Sequence, residues 1–350
     1  MKTEENIMEK FRLGRTELMV SRSGFGALPI QRIPMEESDI LLRKAYDNGI
    51  NFFDTAHAYT DSEKKIGHAL GDVRNHIVLA TKFDAKTVRG FWEQLENSLK
   101  MLRTDYIDIY QVHNPSVLSD PNDDSGLYAA MCEAKKKGYI RFLGLTNHSF
   151  ELATKAAQSG CYDTIQFPLS SLSSEEDLKI IDVCKQHDLG VIAMKAISGG
   201  LITDVSTTFA FLRQYDNVIP IWGIQRESEL DEFLALEKNP PVLDEKMWEE
   251  IQRDRRELSG NFCRGCGYCL PCPAGIEIPT AARMSLLLRR SPYGPHISKE
   301  GQEKMNRIEN CIGCGACKSR CPYHLDTPNL LKYMLQDYRE FCAVHADEIQ

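Results

Sequence analysis

Short apolar runs rich in β-favouring residues alternate with amphipathic stretches from about Gly24 to Leu236. The apolar runs that predict strands are FGAL, INFFD, IVLATK, YIDIYQVH, IRFLGLT, TIQFPL, GVIAMK and NVIPIWG. The stretches between them include ESDILLRKAYDNG, RGFWEQLENSLKML and FELATKAAQSG, in which apolar residues recur at helical spacing. Continuous apolar strands that alternate with helices are typical of a parallel sheet covered by helices.

Eight strand–helix units can close into a barrel or form an open, doubly wound sheet. An open sheet of the dinucleotide-binding type carries a G-x-G-x-x-G turn after its first strand, and FGALPIQR has no such turn. The length of the repeat also fits the compact end of the size range of (β/α)8 barrels. The sequence therefore predicts an α/β fold with a (β/α)8 TIM barrel.

The composition changes after the eighth unit. KNPPVLDEKMWEE combines a Pro-Pro linker with the start of a charged helix, and beyond Gly260 the chain is rich in Cys, Gly and Pro. TAARMSLLLRR and a final segment from about Pro328 have helical patterns. We therefore predict a barrel over residues 13–238, a linker helix over 239–260 and a small helical domain over 261–350.

Composition limits the classes of protein to consider. The 350 residues are 42% hydrophobic and 26% charged, as in a water-soluble globular chain. A net charge of −8 argues against a nucleic-acid surface, because phosphate binding needs an excess of Lys and Arg. MKTEENIMEKFRLG has no apolar core of a signal peptide, and the apolar runs are too short to span a membrane. We expect a cytoplasmic protein.

Four polar side chains stand at or just after the ends of three consecutive predicted strands. Asp54 ends the second strand and Tyr59 follows it, Lys82 ends the third strand, and His113 ends the fourth. The carboxyl ends of barrel strands share one mouth, so these groups are expected to converge. Trp222, Phe83 and His57 are expected to give the same mouth aromatic walls.

This part of the chain resembles the aldo/keto reductase family. DTAHAYTDSEKKIGHAL is similar to the family's second-strand signature, and LATK and QVHNP are similar to its lysine and histidine strand ends. The resemblance covers roughly residues 13–236. It implies the barrel fold, a catalytic tetrad of Asp54, Tyr59, Lys82 and His113, and hydride transfer between a nicotinamide cofactor and a small carbonyl or alcohol substrate.

Carbonyl reduction explains why such residue types are needed. Hydride transfer leaves negative charge on the substrate oxygen, which must be protonated as it forms. Because tyrosine ordinarily has a pKa near 10, a neighbouring Lys82 ammonium is needed to favour its phenolate. Asp54 is expected to hold Lys82, and His113 to donate a hydrogen bond to the substrate oxygen. Tyr59 then acts as acid in reduction and as base in oxidation.

The second half of the barrel is expected to hold NAD(P)H. GLTNHS and IQFP are similar to family segments that bind the nicotinamide carboxamide, GVIAMKAISGG would cover the ring and approach the pyrophosphate, and IPIWGIQRESELDEF is similar to the adenosine-phosphate loop. The residues that this resemblance assigns to the cofactor are Thr146, Asn147, Gln166, Met194, Lys195, Gly223, Gln225, Arg226 and Glu232. Glu229 and Phe233 replace side chains that read a 2′-phosphate, which favours NADH.

Eight of the twelve cysteines lie in two C-terminal runs, CRGCGYCLPCP and CIGCGACKSRCP. In a chain without an export signal, clustered Cys more often bind metal than form disulfides. The second run has the C-x2-C-x2-C-x3-C-P spacing of bacterial [4Fe–4S] ferredoxins, and the first is one residue shorter. Zinc is the alternative, since C-x2-C pairs also suit tetrahedral zinc. Two such runs favour iron–sulfur clusters.

The ferredoxin resemblance implies crossed ligation, in which the last Cys of each run serves the other cluster. One set is then Cys263, Cys266, Cys269 and Cys321, and the other is Cys311, Cys314, Cys317 and Cys272. The chain is thereby similar to aldo/keto reductases with a C-terminal ferredoxin-like domain of two [4Fe–4S] clusters.

The sequence does not determine the function of the clusters. They can relay electrons to a ferredoxin-like or other redox partner, take part in substrate chemistry, or only join the tail to the barrel, and we favour the relay. The alternative for the whole chain is an electron-transfer protein whose barrel docks the partner while the clusters carry the redox function.

Overall fold

The computed structural model describes residues 8–258, 262–290 and 292–348. Its strands are β1 Lys10–Arg12, β2 Met19–Ser21, β3 Gly24–Gly26, β4 Phe52–Asp54, β5 Val78–Phe83, β6 Ile107–His113, β7 Ile140–Thr146, β8 Thr164–Pro168, β9 Gly190–Met194 and β10 Val218–Gly223. Its helices are α1 Met35–Asp47, α2 Ser62–Leu70, α3 Val88–Leu102, α4 Leu127–Lys136, α5 Phe150–Gln158, α6 Glu175–Gln186, α7 Val205–Arg213, α8 Glu227–Lys238, α9 Glu245–Glu257, α10 Ile278–Ala281, α11 Met284–Arg290, α12 Gly294–Ile297, α13 Lys299–Asn306, α14 Ala316–Ser319 and α15 Thr327–Val344.

Strands β3 to β10 close into a barrel in which each strand pairs with its sequence neighbour and β10 pairs with β3. All eight pairings are parallel. This closed parallel barrel confirms the predicted fold, and each predicted strand overlaps an observed one. Side chains alternate along each strand, so one set fills the barrel and the other packs under the helices.

The antiparallel hairpin of β1 and β2 precedes the barrel and was not predicted. Leu13, Leu18 and Val20 of this segment pack with barrel-lining residues such as Val78 and Ile219. Gly190, the first residue of β9, lies so close that an added Cβ would stand 2.5 Å from Leu13 Cγ. The hairpin therefore closes the amino-terminal end of the barrel.

Local signals set the helix starts. Ser174 caps α6 by accepting from the Asp177 backbone N–H at 3.0 Å, and the Asp177 carboxylate reaches back to Ser174. Thr87 and Ser149 accept in the same way at the starts of α3 and α5. Such caps satisfy backbone N–H groups that have no partner within the helix.

The chain divides into two compact units. The first comprises residues 1–196 and 206–245, and the second comprises residues 197–205 and 246–350. The predicted segment boundaries, 13–238, 239–260 and 261–350, stay predictions. Within the described part of the second unit, α15 contacts α10, α11 and α14. None of the helices in the described part of the chain is both long enough and apolar enough to span a bilayer.

Candidate functional site

Asp54 and Lys82 form a buried ion pair at the carboxyl ends of β4 and β5. Lys82 Nζ donates to Asp54 Oδ1 and to the backbone oxygen of Thr55, both at 2.6 Å. The side chains of Lys82 and Asp54 are 0% and 3% exposed. Burial raises the pKa of Asp54 and lowers the pKa of Lys82, and the attraction between the two charges opposes both shifts.

Two rings lie beside this ion pair. Lys82 Nζ is 5.3 Å from the centroid of the Tyr59 ring, and the Tyr59 and His113 rings meet edge-to-face with centroids 5.9 Å apart. Both rings are half-buried. Burial, followed by the positive charge of Lys82, lowers the pKa of His113 to about 3. The imidazole is therefore neutral at physiological pH. The distances in this site show that Asp54, Tyr59, Lys82 and His113, the four residues of the predicted tetrad, lie together.

Gln111 is a member of the site that sequence reasoning missed. Its Nε2 donates to Asp54 Oδ2 at 3.2 Å, and its Oε1 accepts from Thr146 Oγ1 at 3.0 Å. A signal was present, because Gln111 stands two residues before His113 and so shares its face of β6. Gln111 ties the Asp54 carboxylate to β7.

The predicted nicotinamide contacts lie at the ends of β7 and β8. Gln166 Nε2 is 3.4 Å from Asp54 Oδ1, and Gln166 Oε1 accepts from Thr146 Oγ1 at 3.2 Å. Asn147 Nδ2 donates to the Pro115 oxygen at 2.9 Å, and its Oδ1 accepts from the Ser149 N–H. Thr146 and Gln166 thus join the tetrad network, whereas Asn147 also orders the turn before α5.

The other predicted cofactor residues follow β9 and β10. Met194 is 8% exposed and packs in the barrel core, while Lys195 has a left-handed backbone with φ of 57°. Gly223 and Gln225 are half-buried beside the start of α8. Arg226 and Glu232 are exposed. Their roles toward a cofactor stay predictions.

Glu229 occupies the amino-terminal end of α8. Its Oε2 accepts from the backbone N–H groups of Gln225 and Arg226 at 2.9 and 3.1 Å, and its Oε1 accepts from Arg226 Nε at 3.0 Å. A helix start with such N–H groups is a ready anion site. Here the Glu229 carboxylate already accepts hydrogen bonds from those N–H groups.

Trp222 and Phe83 correct the expectation of aromatic walls at the mouth. Trp222 is 0% exposed, stacks on Phe233 at 4.5 Å and donates to Ser23 Oγ at 2.7 Å. Phe83 stacks on Tyr110 at 5.0 Å. Both side chains follow barrel-facing neighbours on their strands, so alternation turns them toward the helices.

Glu63 of α2 is a further buried carboxyl group near the site, 4% exposed. Its Oε1 accepts from Thr81 Oγ1 at 2.6 Å, and burial raises its pKa. Thr81 precedes Lys82 and therefore faces the helices instead of the mouth. Glu63 thus joins α2 to β5 behind the barrel wall.

The eight clustered cysteines line two cavities of the second unit. The first cavity is bordered by Cys263, Cys266, Cys269, Cys317 and Cys321. The second is bordered by Cys269, Cys272, Cys311, Cys314 and Cys317. Cys269 and Cys317 border both cavities. Apart from these two shared residues, Cys321 of the second run borders only the first cavity and Cys272 of the first run borders only the second. This is compatible with the crossed arrangement, and the assignment of each cysteine to a cluster stays a prediction.

The surroundings of these sulfurs suit a cationic metal centre. Burial raises the pKa of Cys269 to about 12. Thiolates in such a place need compensating positive charge, which iron supplies. The Gly265 N–H points to Cys263 Sγ at 3.4 Å. Over the described ranges, no three His, Cys, Asp or Glu side chains converge on a single metal-ion position.

A family model described as aldo/keto reductase matches residues 23–210, more than half of the chain. The chain belongs to the aldo/keto reductase family. A second model, described as a 4Fe-4S dicluster domain, matches residues 262–326. The predicted family and the predicted iron–sulfur domain are thereby confirmed, and the catalytic and ligand roles of individual residues stay predictions.

Curated relatives are similar to the chain in sequence, and a solved structure is similar to it in fold. L-galactose dehydrogenase of Arabidopsis thaliana is 31% identical over 55% of this chain and 66% of its own. NADH-specific methylglyoxal reductase of Escherichia coli is 27% identical over 67% of this chain and 81% of its own. An aldo/keto reductase of Klebsiella pneumoniae in complex with NADP and acetate has a TM-score of 0.60 at 22% identity, covering 71% of this chain and 95% of its own. The first match spans just under two thirds of that relative's length.

Proposed function

We propose that this aldo/keto reductase reduces a small carbonyl compound, or oxidises the corresponding alcohol, by nicotinamide-dependent hydride transfer with Tyr59 as acid and base. The observation that carries the proposal is the buried Lys82–Asp54 pair at 2.6 Å, with Lys82 Nζ 5.3 Å from the Tyr59 ring centroid. Asp54 fixes Lys82 so that its positive charge stays beside the phenol. A cation in that position favours the phenolate and so makes tyrosine a more effective acid.

His113 has a second task in the same site. Its low pKa, about 3, leaves a neutral imidazole that can donate one N–H to the substrate oxygen without bringing a second cation next to Lys82. Such a donor stabilises negative charge that develops on that oxygen. Tyr59 then supplies the proton. A bound nicotinamide dinucleotide supplies the hydride.

Asn147 and Gln166 are suited to a nicotinamide carboxamide. A side-chain NH2 group can donate twice and an amide oxygen can accept twice. Asn147 can therefore serve both the Pro115 oxygen and a ligand, and Gln166 both Asp54 and a ligand. We assign these two amides to binding and orienting the ring at the tetrad.

NADH is the dinucleotide that Glu229 favours. A 2′-phosphate at the start of α8 would have to displace the Glu229 carboxylate from two backbone N–H groups and Arg226, or lie beside its negative charge. Isothermal titration should give a lower Kd for NADH than for NADPH, and Glu229→Gln should narrow the difference. An NADPH preference in the unaltered chain would contradict this assignment.

We further propose that the two cysteine sets hold one [4Fe–4S] cluster each and that the clusters relay electrons to a redox partner. The support is the lining of the two cavities by the eight clustered cysteines, two of which border both, and the match to a 4Fe-4S dicluster domain. The partner is a one-electron carrier, because each such centre normally passes single electrons.

Anaerobically purified protein provides the test. Iron and sulfide are quantified, and NADH oxidation is followed with small aldehydes, methylglyoxal and aldose sugars in turn. Carbonyl-dependent oxidation that Lys82→Met abolishes supports the reductase. If a reduced carrier protein reduces the clusters but the chain turns over none of these carbonyls, the result would favour the electron-transfer alternative. Bleaching of the cluster absorbance by NADH alone would show that the barrel and the clusters exchange electrons.

A further inference from the structure

The two cysteine runs are a small internal repeat with one informative difference. CRGCGYC and CIGCGAC share three Cys and two Gly at the same spacing. Gly265, Gly267, Gly313 and Gly315 all have positive φ, so both loops use the same backbone turns. The second position of the repeat is Arg264 in the first run and Ile312 in the second. The repeat therefore places a cation in one loop and an apolar side chain in the other.

Arg264 borders the first cavity together with Cys263 and Cys266. Its guanidinium carbon lies 4.9 Å from the centroid of the Phe262 ring and 4.5 Å from that of the Tyr323 ring. Such contacts hold a guanidinium in place and are typical of Arg. Phe262 immediately precedes the first run, and Tyr323 follows Cys321 by two residues. The two rings thus fix the cation at the edge of the first cavity.

A second guanidinium stands on the same side. Arg283 Nη1 donates to the Gly199 backbone oxygen at 2.7 Å, and a Cβ added to Gly265 would lie 3.1 Å from Arg283 Cζ. By contrast, the described residues that border the second cavity are Cys, Pro, Ala, Ile, Gly and Leu, without a charged side chain.

The two sets of sulfurs also differ in exposure. Cys263 and Cys269 are buried at 8% and 9%, whereas Cys311 and Cys314 are exposed. One-electron reduction changes a [4Fe–4S]²⁺ core to [4Fe–4S]⁺ and adds one negative charge with no proton. Water can stabilise that charge at an exposed site, and nearby cations must do so at a buried one.

We propose that Arg264 is an electrostatic tuning residue that raises the reduction potential of the cluster in the first cavity. The inference rests on the proposed cluster ligation. Water has little access to the buried Cys263 and Cys269, so the guanidinium would stabilise the added negative charge of the reduced cluster instead. The reduction potential of the first cluster would therefore be higher than it would be without Arg264. Ile312 leaves the second cluster without this contribution.

The test is a potentiometric titration of the anaerobic holoprotein with dithionite, followed by cluster absorbance and by the electron paramagnetic resonance of the reduced centres. Arg264→Ile should lower the ratio of reduced to oxidised first cluster at least tenfold at a fixed potential, which is about 59 mV for a one-electron couple. The second cluster should not change. Arg264→Lys, which keeps the charge, should lower the reduction potential of the first cluster less than Arg264→Ile does.

The converse variant removes no native contact of the first cavity. Ile312→Arg should raise the potential of the second cluster and leave the first unchanged. Unchanged potentials in Arg264→Ile or in Ile312→Arg, with about eight iron atoms per chain retained, would overturn the tuning role alone. Unaltered protein that binds no iron would instead refute the cluster ligation on which it rests.

Discussion

Replacing Asp54 by Asn tests the physical core of the candidate active site. The substitution keeps the shape of the side chain and removes the charge that Lys82 Nζ contacts at 2.6 Å. Gln111 and Gln166 approach the same carboxylate with their amide nitrogens, at 3.2 and 3.4 Å. Because Lys82 is 1% exposed, water cannot take over the lost interaction.

The expected loss is large. Removing one partner of a buried ion pair typically costs about 3–5 kcal/mol, because the remaining charge must stay unpaired or lose its proton. Removing both charges in Asp54→Asn with Lys82→Met should cost less than the sum of the two single changes, since no buried charge is left. The double variant is therefore the matched control for Asp54→Asn.

The pH dependence gives a second signature with a defined sign. Without Asp54, burial lowers the pKa of Lys82 further, so the folded chain releases a proton that the unfolded chain still binds at neutral pH. The free energy of unfolding then rises with pH below the ordinary lysine pKa of about 10.4. The deficit of Asp54→Asn relative to the unaltered protein should shrink between pH 7 and pH 9.

Anaerobic urea unfolding, followed by tryptophan fluorescence to which buried Trp222 contributes, measures these free energies at each pH. A deficit under about 0.5 kcal/mol at pH 7 would mean that Asp54 does not hold a charged Lys82, since such values are ordinary for surface substitutions. The ion-pair account would also be refuted if the double variant lost more unfolding free energy than the two single variants lost in sum.

Two further predictions concern neighbouring residues. The free energy of unfolding should fall less between pH 7 and pH 5 in His113→Gln than in the unaltered protein, by at most about 2 kcal/mol. The reason is that native His113, with its pKa of about 3, stays neutral over this range, while the imidazole of the unfolded chain takes up a proton below about pH 6.5. Urea unfolding at both pH values measures this, and an equal fall in the two proteins would contradict it. Gly144→Ala should cost about 1–3 kcal/mol and lower kcat, because its Cβ would lie 2.7 Å from Gln111 Cγ and 2.6 Å from Thr164 Oγ1. Gly71→Ala, whose Cβ would meet only Arg103 at 4.0 Å, is the control for Gly144→Ala, and equal stabilities of these two variants would contradict the packing argument.

The barrel strands could be predicted because each is a continuous apolar run between turn residues. The hairpin could not, since Lys10–Arg12 and Met19–Ser21 have only three residues each and carry charged or polar positions. TAARMSLLLRR was predicted as one helical segment, and the structure divides it between Ile278–Ala281 and Met284–Arg290. Short elements such as these depend on tertiary contacts that a local pattern does not contain.

At the site, the sequence indicated which residues share the mouth but not the bonds between them. Asp54, Lys82 and His113 could be found because each ends a predicted strand. Gln111 was missed because it lies inside a strand, where a polar residue gives no end signal. Trp222 was assigned to the mouth although alternation along β10 turns it away from Ile221, which packs in the barrel core.

The most direct test of the central claim compares the unaltered enzyme with Tyr59→Phe in NADH-dependent carbonyl reduction, with the Kd for NADH measured on both. The change removes the hydroxyl and keeps the ring that lies beside Lys82 and His113. Loss of a general acid typically lowers turnover by about 10²–10⁴-fold. We predict a fall of that size with little change in the Kd for NADH. Near-normal turnover of Tyr59→Phe would contradict the proposed role of this tyrosine.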